Sequence, residues 1–321
     1  MTWLYRYDRD IVDVTGPDAG SFLQSLVSQD LDALTPAAGA PSLLLQPQGK
    51  LVAPIRVLLL DQEHYRLDTD QGAGAALLSG LARFKIRVKV ELSAVVDVAT
   101  LYLRGADVDD VVAAAGLPVP GESEHAHRDD GEGVRTVRAS WGPTLGIDAF
   151  VPTGIVDSVC ERLVEAGAQA VDADQFETER VEHGVVAFGR DIDDATIAQE
   201  AELEIDAVSF TKGCFVGQEL VCRIDSRGHV NRFVRRLVFA DGRPGPAAGS
   251  EVTAGDKVIG AVTSPAPGAP VALATVRREV EPGATVDVAG RAAVVHERRA
   301  CPICAPRVCV VHPRPQPAFA T

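Results

Sequence analysis

The spacing of apolar side chains switches between helical and strand-like periods along the chain as far as about Arg232. Between residues 19 and 31 apolar positions recur at helical spacing, which predicts a helix with Asp18 as its candidate cap. Two apolar runs, residues 43–45 and 51–60, flank a Gln-Pro-Gln-Gly turn and predict a β-hairpin. This part of the chain therefore mixes both types of element.

The other elements of this region follow from the same two periods. Strands are expected at residues 65–68, 87–91, 93–104, 134–139 and 148–151. Helices are expected at residues 73–81, 107–115, 155–167 and 174–182. Residues 121–133 are charged and poor in apolar side chains, which is typical of an exposed loop, and the run around Cys222 is strand-like.

Beyond Arg232 the pattern changes to short strands separated by turns rich in Gly, Pro and Asp. Regular short strands of this kind predict a small β-barrel. The expected fold class is therefore α+β, with several units along the chain. Residues 1–235 would form the mixed region, in two subdomains, residues 236–297 the C-terminal barrel, and residues 298–321 a flexible tail rich in Cys and Pro.

Composition limits the possible partners of the chain. Its 321 residues carry a formal net charge of −14, which argues against a broad surface for nucleic acid. No apolar run approaches the roughly 20 residues that span a membrane, so no membrane partner is expected. The first residues lack the basic and apolar segments of a signal peptide, and the six cysteines are unevenly spaced. Reduced thiols in a cytoplasm are the simplest interpretation.

Half of the cysteines lie in the last 21 residues. Their spacing is C-x₂-C-x₄-C-x₂-H, a set that would give zinc three thiolates and an imidazole. The compact spacing matches no common zinc module, so a redox dithiol or an unstructured tail remains an alternative. The candidate ligands are Cys301, Cys304, Cys309 and His312.

Residues 212–219, KGCFVGQE, place Cys214 between two glycines. Glycine accepts backbone angles that other residues avoid, which favours a tight exposed loop. Lys212 would raise the thiolate fraction of a nearby thiol, so Cys214 and Lys212 are the candidate catalytic residues. The alternative is a buried, inert cysteine, which is the commoner state of this residue type.

The same eight residues resemble the signature of the folate-binding YgfZ family, relatives of the aminomethyltransferase (T-protein) of the glycine cleavage system. Residues 180–184, RVEHG, and 189–192, GRDI, resemble a second segment that both groups share. The resemblance extends from near the N-terminus to Glu297. It implies an aminomethyltransferase-like folate-binding fold and tetrahydrofolate, or a derivative, as the cofactor.

The resemblance also assigns roles to individual residues. Glu182 matches the acid that binds the pterin, and a carboxylate can accept two of that ring's N–H groups in parallel. The anionic glutamate tail of folate requires nearby cations. Gln218 and Lys212 are further candidates for polar contacts with the ligand. The arginines that follow the cysteine motif are Arg223, Arg227, Arg232 and Arg235.

The chain departs from the transferases at residues 49–56, GKLVAPIR. The transferases resemble Gly-Gly-x-x-Asp-Asp there, and Ala53 and Pro54 replace both acids. Loss of the acid–base carboxylate implies a protein that keeps the folate-binding site but lacks the transfer activity. The family's role is in assembly or repair of iron–sulfur clusters, with client enzymes that include tRNA-thiolating proteins. The alternative is a tetrahydrofolate-dependent aminomethyltransferase or demethylase with altered acid–base residues.

Overall fold

A computed structural model describes residues 1–299 of the chain. The strands are β1 (Trp3–Arg6), β2 (Arg9–Thr15), β3 (Gly39–Leu45), β4 (Leu51–Asp61), β5 (His64–Asp70), β6 (Glu91–Val95), β7 (Val98–Arg104), β8 (His127–Asp129), β9 (Arg135–Arg138), β10 (Gly146–Pro152), β11 (Gln169–Ala170), β12 (Arg232–Phe239), β13 (Glu251–Ala254), β14 (Lys257–Pro265), β15 (Val271–Arg277), β16 (Thr285–Val288) and β17 (Arg291–His296). The helices are α1 (Ala19–Leu26), α2 (Gly74–Ala82), α3 (Val108–Ala114), α4 (Val156–Glu165), α5 (Ala173–Glu182), α6 (Glu204–Ala207) and α7 (Gln218–Arg227), with a 3₁₀ helix at Ala198–Ala201.

Two sheets form the mixed region. The five-stranded sheet has the order β3-β4-β5-β2-β6, and its β3–β4 hairpin is the one that the sequence predicts. The six-stranded sheet has the order β11-β1-β7-β10-β9-β8. Helices α1 and α2 pack on the first sheet and share one apolar core with it. Helices α3 and α4 pack on the second sheet and share a second core with it. The α+β class is confirmed.

The last strands close into a six-stranded barrel with the order β12-β15-β14-β13-β16-β17. Alternate side chains such as Leu237, Val252 and Val295 point inward and fill its core. A further core joins this barrel to α7 and to the β3–β4 hairpin, through Val234, Val221 and Leu43. The C-terminal barrel that the sequence predicts is therefore present, and it packs on the mixed region.

Several expected elements differ in the structure. Residues 87–90 are not a strand, because Arg87 adopts a left-handed φ of 57° that breaks an extended run, and β6 begins only at Glu91. The expected strand at 93–104 is interrupted after Val95, and the loop at 121–133 contains the short strand β8. Asp18 precedes α1, but its carboxylate accepts a hydrogen bond from Lys89 N instead of capping the helix.

The run around Cys222 was expected to be strand-like and is the helix α7. Gly217 begins this helix at φ 80°, and a side chain there would lie 2.6 Å from the carbonyl oxygen of Gln46. Val221 is fully buried in the core beneath the helix. Tertiary contacts therefore override the strand preference of the β-branched residues.

Candidate functional site

A cavity of about 1440 Å³ lies where the two sheets, the segment after α5 and the barrel meet. One part of its wall is aromatic, with Tyr7, Tyr102, Trp141 and Phe176. Tyr7 stacks on Phe176 with ring centroids 5.1 Å apart, and Trp141 lies 5.8 Å from Phe176. Tyr102, Trp141 and Phe176 are 6%, 7% and 5% exposed and pack against one another, so the cluster gives this part of the cavity an apolar wall.

Beside the aromatic wall, ion pairs join the two sheets. Arg56 on β4 donates to Asp68 on β5 and, across the interface, to Asp148 on β10, each at 2.8 Å. Arg104, which is 1% exposed, donates to the other oxygen of Asp148 at 2.8 Å, and Arg9 pairs with Asp68. Each buried charge therefore has an opposite partner, as burial requires.

Burial and charge pairing shift the pKa values in this network. Burial opposes the ionisation of Asp68, but the guanidinium groups of Arg56 and Arg9 hold the pKa of its carboxyl below the ordinary value. Burial raises the pKa of the Tyr102 hydroxyl well above its ordinary value, and it also raises that of Tyr7. The aspartate is therefore ionised and the phenols are neutral at pH 7.

The barrel end of the cavity holds arginines with a different environment. Arg236 lines the cavity and donates to two backbone carbonyl oxygens, those of Glu182 at 2.8 Å and Glu297 at 3.2 Å. Both acceptors are backbone oxygens, so these hydrogen bonds do not compensate the charge of the guanidinium. Burial lowers the pKa of Arg236, and the nearby charge of Glu182 opposes that shift. Arg236 can therefore accept an anionic group of a ligand.

None of the four candidate folate-binding residues, Glu182, Gln218, Arg223 and Arg227, is among the described residues that line the cavity. Glu182 is exposed at the end of α5, beside the lining residue His183 and joined to Arg236 through its own carbonyl oxygen. Gln218 begins α7 on the other side of the β3–β4 turn, and Arg223 and Arg227 are exposed on that helix. Their roles in binding stay predictions.

The two other candidate arginines belong to ion pairs. Arg232 donates to Glu200 at 3.0 Å, and Arg235 donates to Glu202 at 2.7 Å and also pairs with Glu297. Their charges are therefore already compensated within the protein.

The cysteine motif forms an exposed loop between α6 and α7. The Cys214 side chain is exposed, and so is Gly213, whereas Lys212 and Phe215 on either side are buried. The loop packs against the end of α1 and the β3–β4 turn, and none of the described residues that line the cavity belongs to residues 209–219. Cys214 is thus open to partners in solution on a surface separate from the cavity lining.

Lys212 turns its ammonium group into the protein. The Nζ atom donates to the carbonyl oxygens of Gln24 at 2.8 Å, Val27 at 2.7 Å and Gln29 at 2.7 Å, which lie in the last turn of α1 and just after it. It also lies 5.7 Å from the centre of the Phe215 ring. Burial lowers the pKa of Lys212 to about 8, with Asp30 and Asp32 acting in the opposite direction. The lysine therefore anchors the loop, and its proposed action on the thiol stays a prediction.

Sequence reasoning missed the aromatic wall and His125. The aromatic residues come from four distant segments, and His125 lies in the charged loop that was expected to be wholly exposed. No local pattern marks either group, because only the tertiary fold brings them to one cavity.

The described residues contain no group of three or more His, Cys, Asp or Glu side chains placed to hold a metal ion. The candidate zinc ligands Cys301, Cys304, Cys309 and His312 lie outside the described residues. Within residues 1–299, no helix is both long and apolar enough to cross a membrane.

Residues 10–212 match the family model described as the GCVT N-terminal domain. The iron–sulfur cluster assembly factor IBA57 homolog, mitochondrial, of Phaeosphaeria nodorum is 26% identical over 74% of this chain and 56% of its own length. The chain thus spans little more than half of that relative. The tRNA-modifying protein YgfZ of Serratia proteamaculans is 24% identical over 78% of this chain and 75% of its own length.

Among solved structures, the glycine cleavage system aminomethyltransferase T of Bartonella henselae aligns with a TM-score of 0.83. It covers 93% of this chain and 87% of its own, at 23% sequence identity. The aminomethyltransferase-like fold that the resemblance implies is therefore confirmed.

Proposed function

Since the chain belongs to the family defined by the GCVT N-terminal domain, we propose that it is a folate-binding protein that acts in iron–sulfur cluster assembly or repair. The name of one relative, an iron–sulfur cluster assembly factor, supports the iron–sulfur half, and the resemblance of residues 212–219 to the folate-binding YgfZ family supports the folate half. Iron–sulfur enzymes are the expected clients. The cytoplasmic location stays a prediction, and the Phaeosphaeria relative is mitochondrial by name.

The observation that carries the folate half is the large cavity, whose lining combines a cluster of aromatic residues with the guanidinium of Arg236. Its volume exceeds the roughly 300–1,000 Å³ of common small-molecule sites, so a ligand as long as folate fits. A pterin ring would pack against the aromatic cluster of Tyr7, Trp141 and Phe176. The glutamate carboxylates would meet Arg236, whose hydrogen bonds to backbone oxygens do not compensate its charge.

Glu182 would bind the pterin edge from the rim of this cavity. Its carboxylate is exposed and close enough to influence Arg236, and its neighbour His183 lines the cavity. A ligand that reaches the rim would offer N–H donors to this carboxylate.

The second half of the proposal concerns the thiol of Cys214. Cys214 is exposed, and the buried side chains of Lys212 and Phe215 hold its loop in place. Its thiol can therefore contact a client protein or a sulfur species without unfolding of the loop. The aminomethyl-transfer alternative is disfavoured, because Pro54 lines the cavity and Ala53 is buried, and neither side chain can move a proton.

Two substitutions test the halves separately. Glu182→Ala should weaken tetrahydrofolate binding about tenfold or more in calorimetry, because each hydrogen bond to a charged group contributes roughly 1.5–3 kcal/mol. Glu219→Ala, on the exposed surface of α7, is the matched control. Unchanged affinity in Glu182→Ala would remove that residue from the site.

Cys214→Ser should fail to restore iron–sulfur enzyme activity in cells that lack the protein. Cys160→Ser, which alters a half-buried cysteine on α4, should restore it. Full restoration of iron–sulfur enzyme activity by Cys214→Ser would show that the thiol is not the reactive group.

A further inference from the structure

His125 has an unusual backbone and an unusual place. It lies in the segment between α3 and β8, and its φ of 63° is in the left-handed region that few residues other than glycine occupy. Its half-buried ring lines the large cavity, together with Arg56 and Pro54 of β4. A residue held in a sparsely populated conformation at a cavity is a reason to look for a function there.

Neighbouring residues hold this segment rigidly. The backbone N–H of His125 donates to the carbonyl oxygen of Arg138 at 3.0 Å, and Arg138 N donates to the carbonyl oxygen of Ala126 at 2.8 Å. The buried Arg138 side chain also donates to the carbonyl oxygen of Gly121 at 3.2 Å. On the other side, a side chain at Gly39 would lie 3.1 Å from the carbonyl oxygen of His125. The histidine is thus fixed at the cavity wall.

The ring of His125 lacks the partner that a buried polar atom normally has. Its Nδ1 atom is buried, and within residues 1–299 it accepts and donates no hydrogen bond. Such an orphan group calls for an explanation, commonly a missing water or ligand. His127, two residues later, shows the contrast, because its ring nitrogens bond to the carbonyl oxygen of Leu59 and to Arg135.

The charges that face His125 keep its ring neutral. Burial lowers the pKa of the imidazole, and the charge of Arg56 lowers it further, while Glu124, Asp68 and Asp148 oppose these effects. A neutral imidazole carries one N–H donor and one acceptor nitrogen. Because the two nitrogens point in different directions, one of them at a time can bond a single donor or acceptor atom of a ligand.

We propose that His125 is a ligand-binding residue of the cavity, which hydrogen-bonds the polar edge of a nitrogen heterocycle. This inference rests on the proposed folate site, where the aminopyrimidinone edge of the reduced pterin supplies both a donor and an acceptor. The ring can present either nitrogen to the cavity, since its terminal torsion has two broad minima. His125 then contributes to specificity for the heterocycle from the cavity wall that also includes Arg56 and Pro54.

The test is an anaerobic titration of the full chain with tetrahydrofolate. His125→Gly removes the imidazole without backbone strain, and His125→Asn keeps a donor and an acceptor in a residue that tolerates the left-handed region. His229→Ala, an exposed histidine after α7, is the control. The affinity of His125→Gly should fall about tenfold, that of His125→Asn should be largely restored, and the control should match the wild type.

The outcomes separate this inference from the folate site itself. Wild-type binding with unchanged affinity in His125→Gly overturns the role of His125 and leaves the folate site intact. Absence of wild-type binding overturns both. If His125→Gly does not fold, as thermal melting would reveal, the NMR shifts of the wild-type His125 ring nitrogens decide. They should change on ligand addition, and unchanged shifts in a bound complex would refute the contact.

Discussion

Arg56 and Asp148 meet across 2.8 Å at the junction of the two sheets, in the wall of the cavity. Arg56 belongs to β4 of the five-stranded sheet and Asp148 to β10 of the six-stranded sheet. The same carboxylate also accepts from Arg104, so one aspartate pairs with two buried cations. This contact links the two sheets at the cavity wall.

Asp148→Ala should destabilise the protein by about 3–5 kcal/mol, because Arg56 and Arg104 would stay buried without this anion. The shift of the urea unfolding midpoint, followed by circular dichroism, measures the change. Glu279→Ala, which removes an exposed partner of Lys257, is the control and should move the midpoint little. An equal midpoint for Asp148→Ala and wild type would mean that the network does not hold the sheets together.

Lys212→Met should loosen the cysteine loop, because the carbonyl oxygens of Gln24, Val27 and Gln29 lose their shared donor. Amide hydrogen exchange at residues 208–217 should become faster, while the barrel should exchange at its usual rate. Lys257→Met, at an exposed lysine on β14, provides the control. Identical exchange in the loop of Lys212→Met and wild type would refute the anchoring role.

The pH dependence of loop opening follows from the pKa of Lys212. Burial lowers this pKa from 10.5 to about 8 in the closed loop, whereas an opened loop exposes the amine to water and restores its ordinary value. Opening therefore takes up a proton above pH 8. The opening equilibrium should be constant below pH 8 and should become less favourable as the pH rises toward about 10.

Hydrogen exchange of the loop between pH 6 and 10, corrected for the intrinsic exchange rate, measures this effect. The dependence should disappear in Lys212→Met, which has no titrating amine. Opening that becomes easier above pH 8 would contradict the assigned environment of the lysine.

Arg236→Ala should weaken tetrahydrofolate binding about tenfold, because the glutamate tail loses its cation. Binding of tetrahydropteroate, which lacks the glutamate, should be nearly unchanged in the same variant. Arg227→Ala tests the arginine that the sequence analysis suggests for the glutamate tail. Because Arg227 is exposed on α7, we expect this variant to bind tetrahydrofolate as tightly as the wild type. A loss in Arg227→Ala but not in Arg236→Ala would place the tail at the cysteine motif instead of the barrel end.

Local periodicity in the sequence was enough to predict the β3–β4 hairpin, α4 and the short strands of the barrel, because each buries one regular face. It failed at α7, where Val221 and Ile224 favour a strand in isolation and the core beneath the helix decides the outcome. The fold as a whole was predictable from the two motifs that resemble known relatives.

The cavity wall could not be predicted in the same way. Tyr7, Tyr102, Trp141 and Phe176 are separated by tens of residues or more and meet only in the folded protein. His125 lies in a charged segment that looks like a solvated loop, and contacts with the distant Arg138 turn it toward the cavity. Long-range packing, rather than any local pattern, creates this part of the site.

An anaerobic calorimetric titration of the wild-type chain with tetrahydrofolate tests the binding of reduced folate in the cavity most directly. The aromatic wall and the free charge of Arg236 predict saturable binding of about one molecule per chain. Binding should also change the fluorescence of Trp141, which lines the cavity. Absence of saturable heat and of any fluorescence change, in a protein shown to be folded by thermal melting, would contradict a folate-binding role for this cavity.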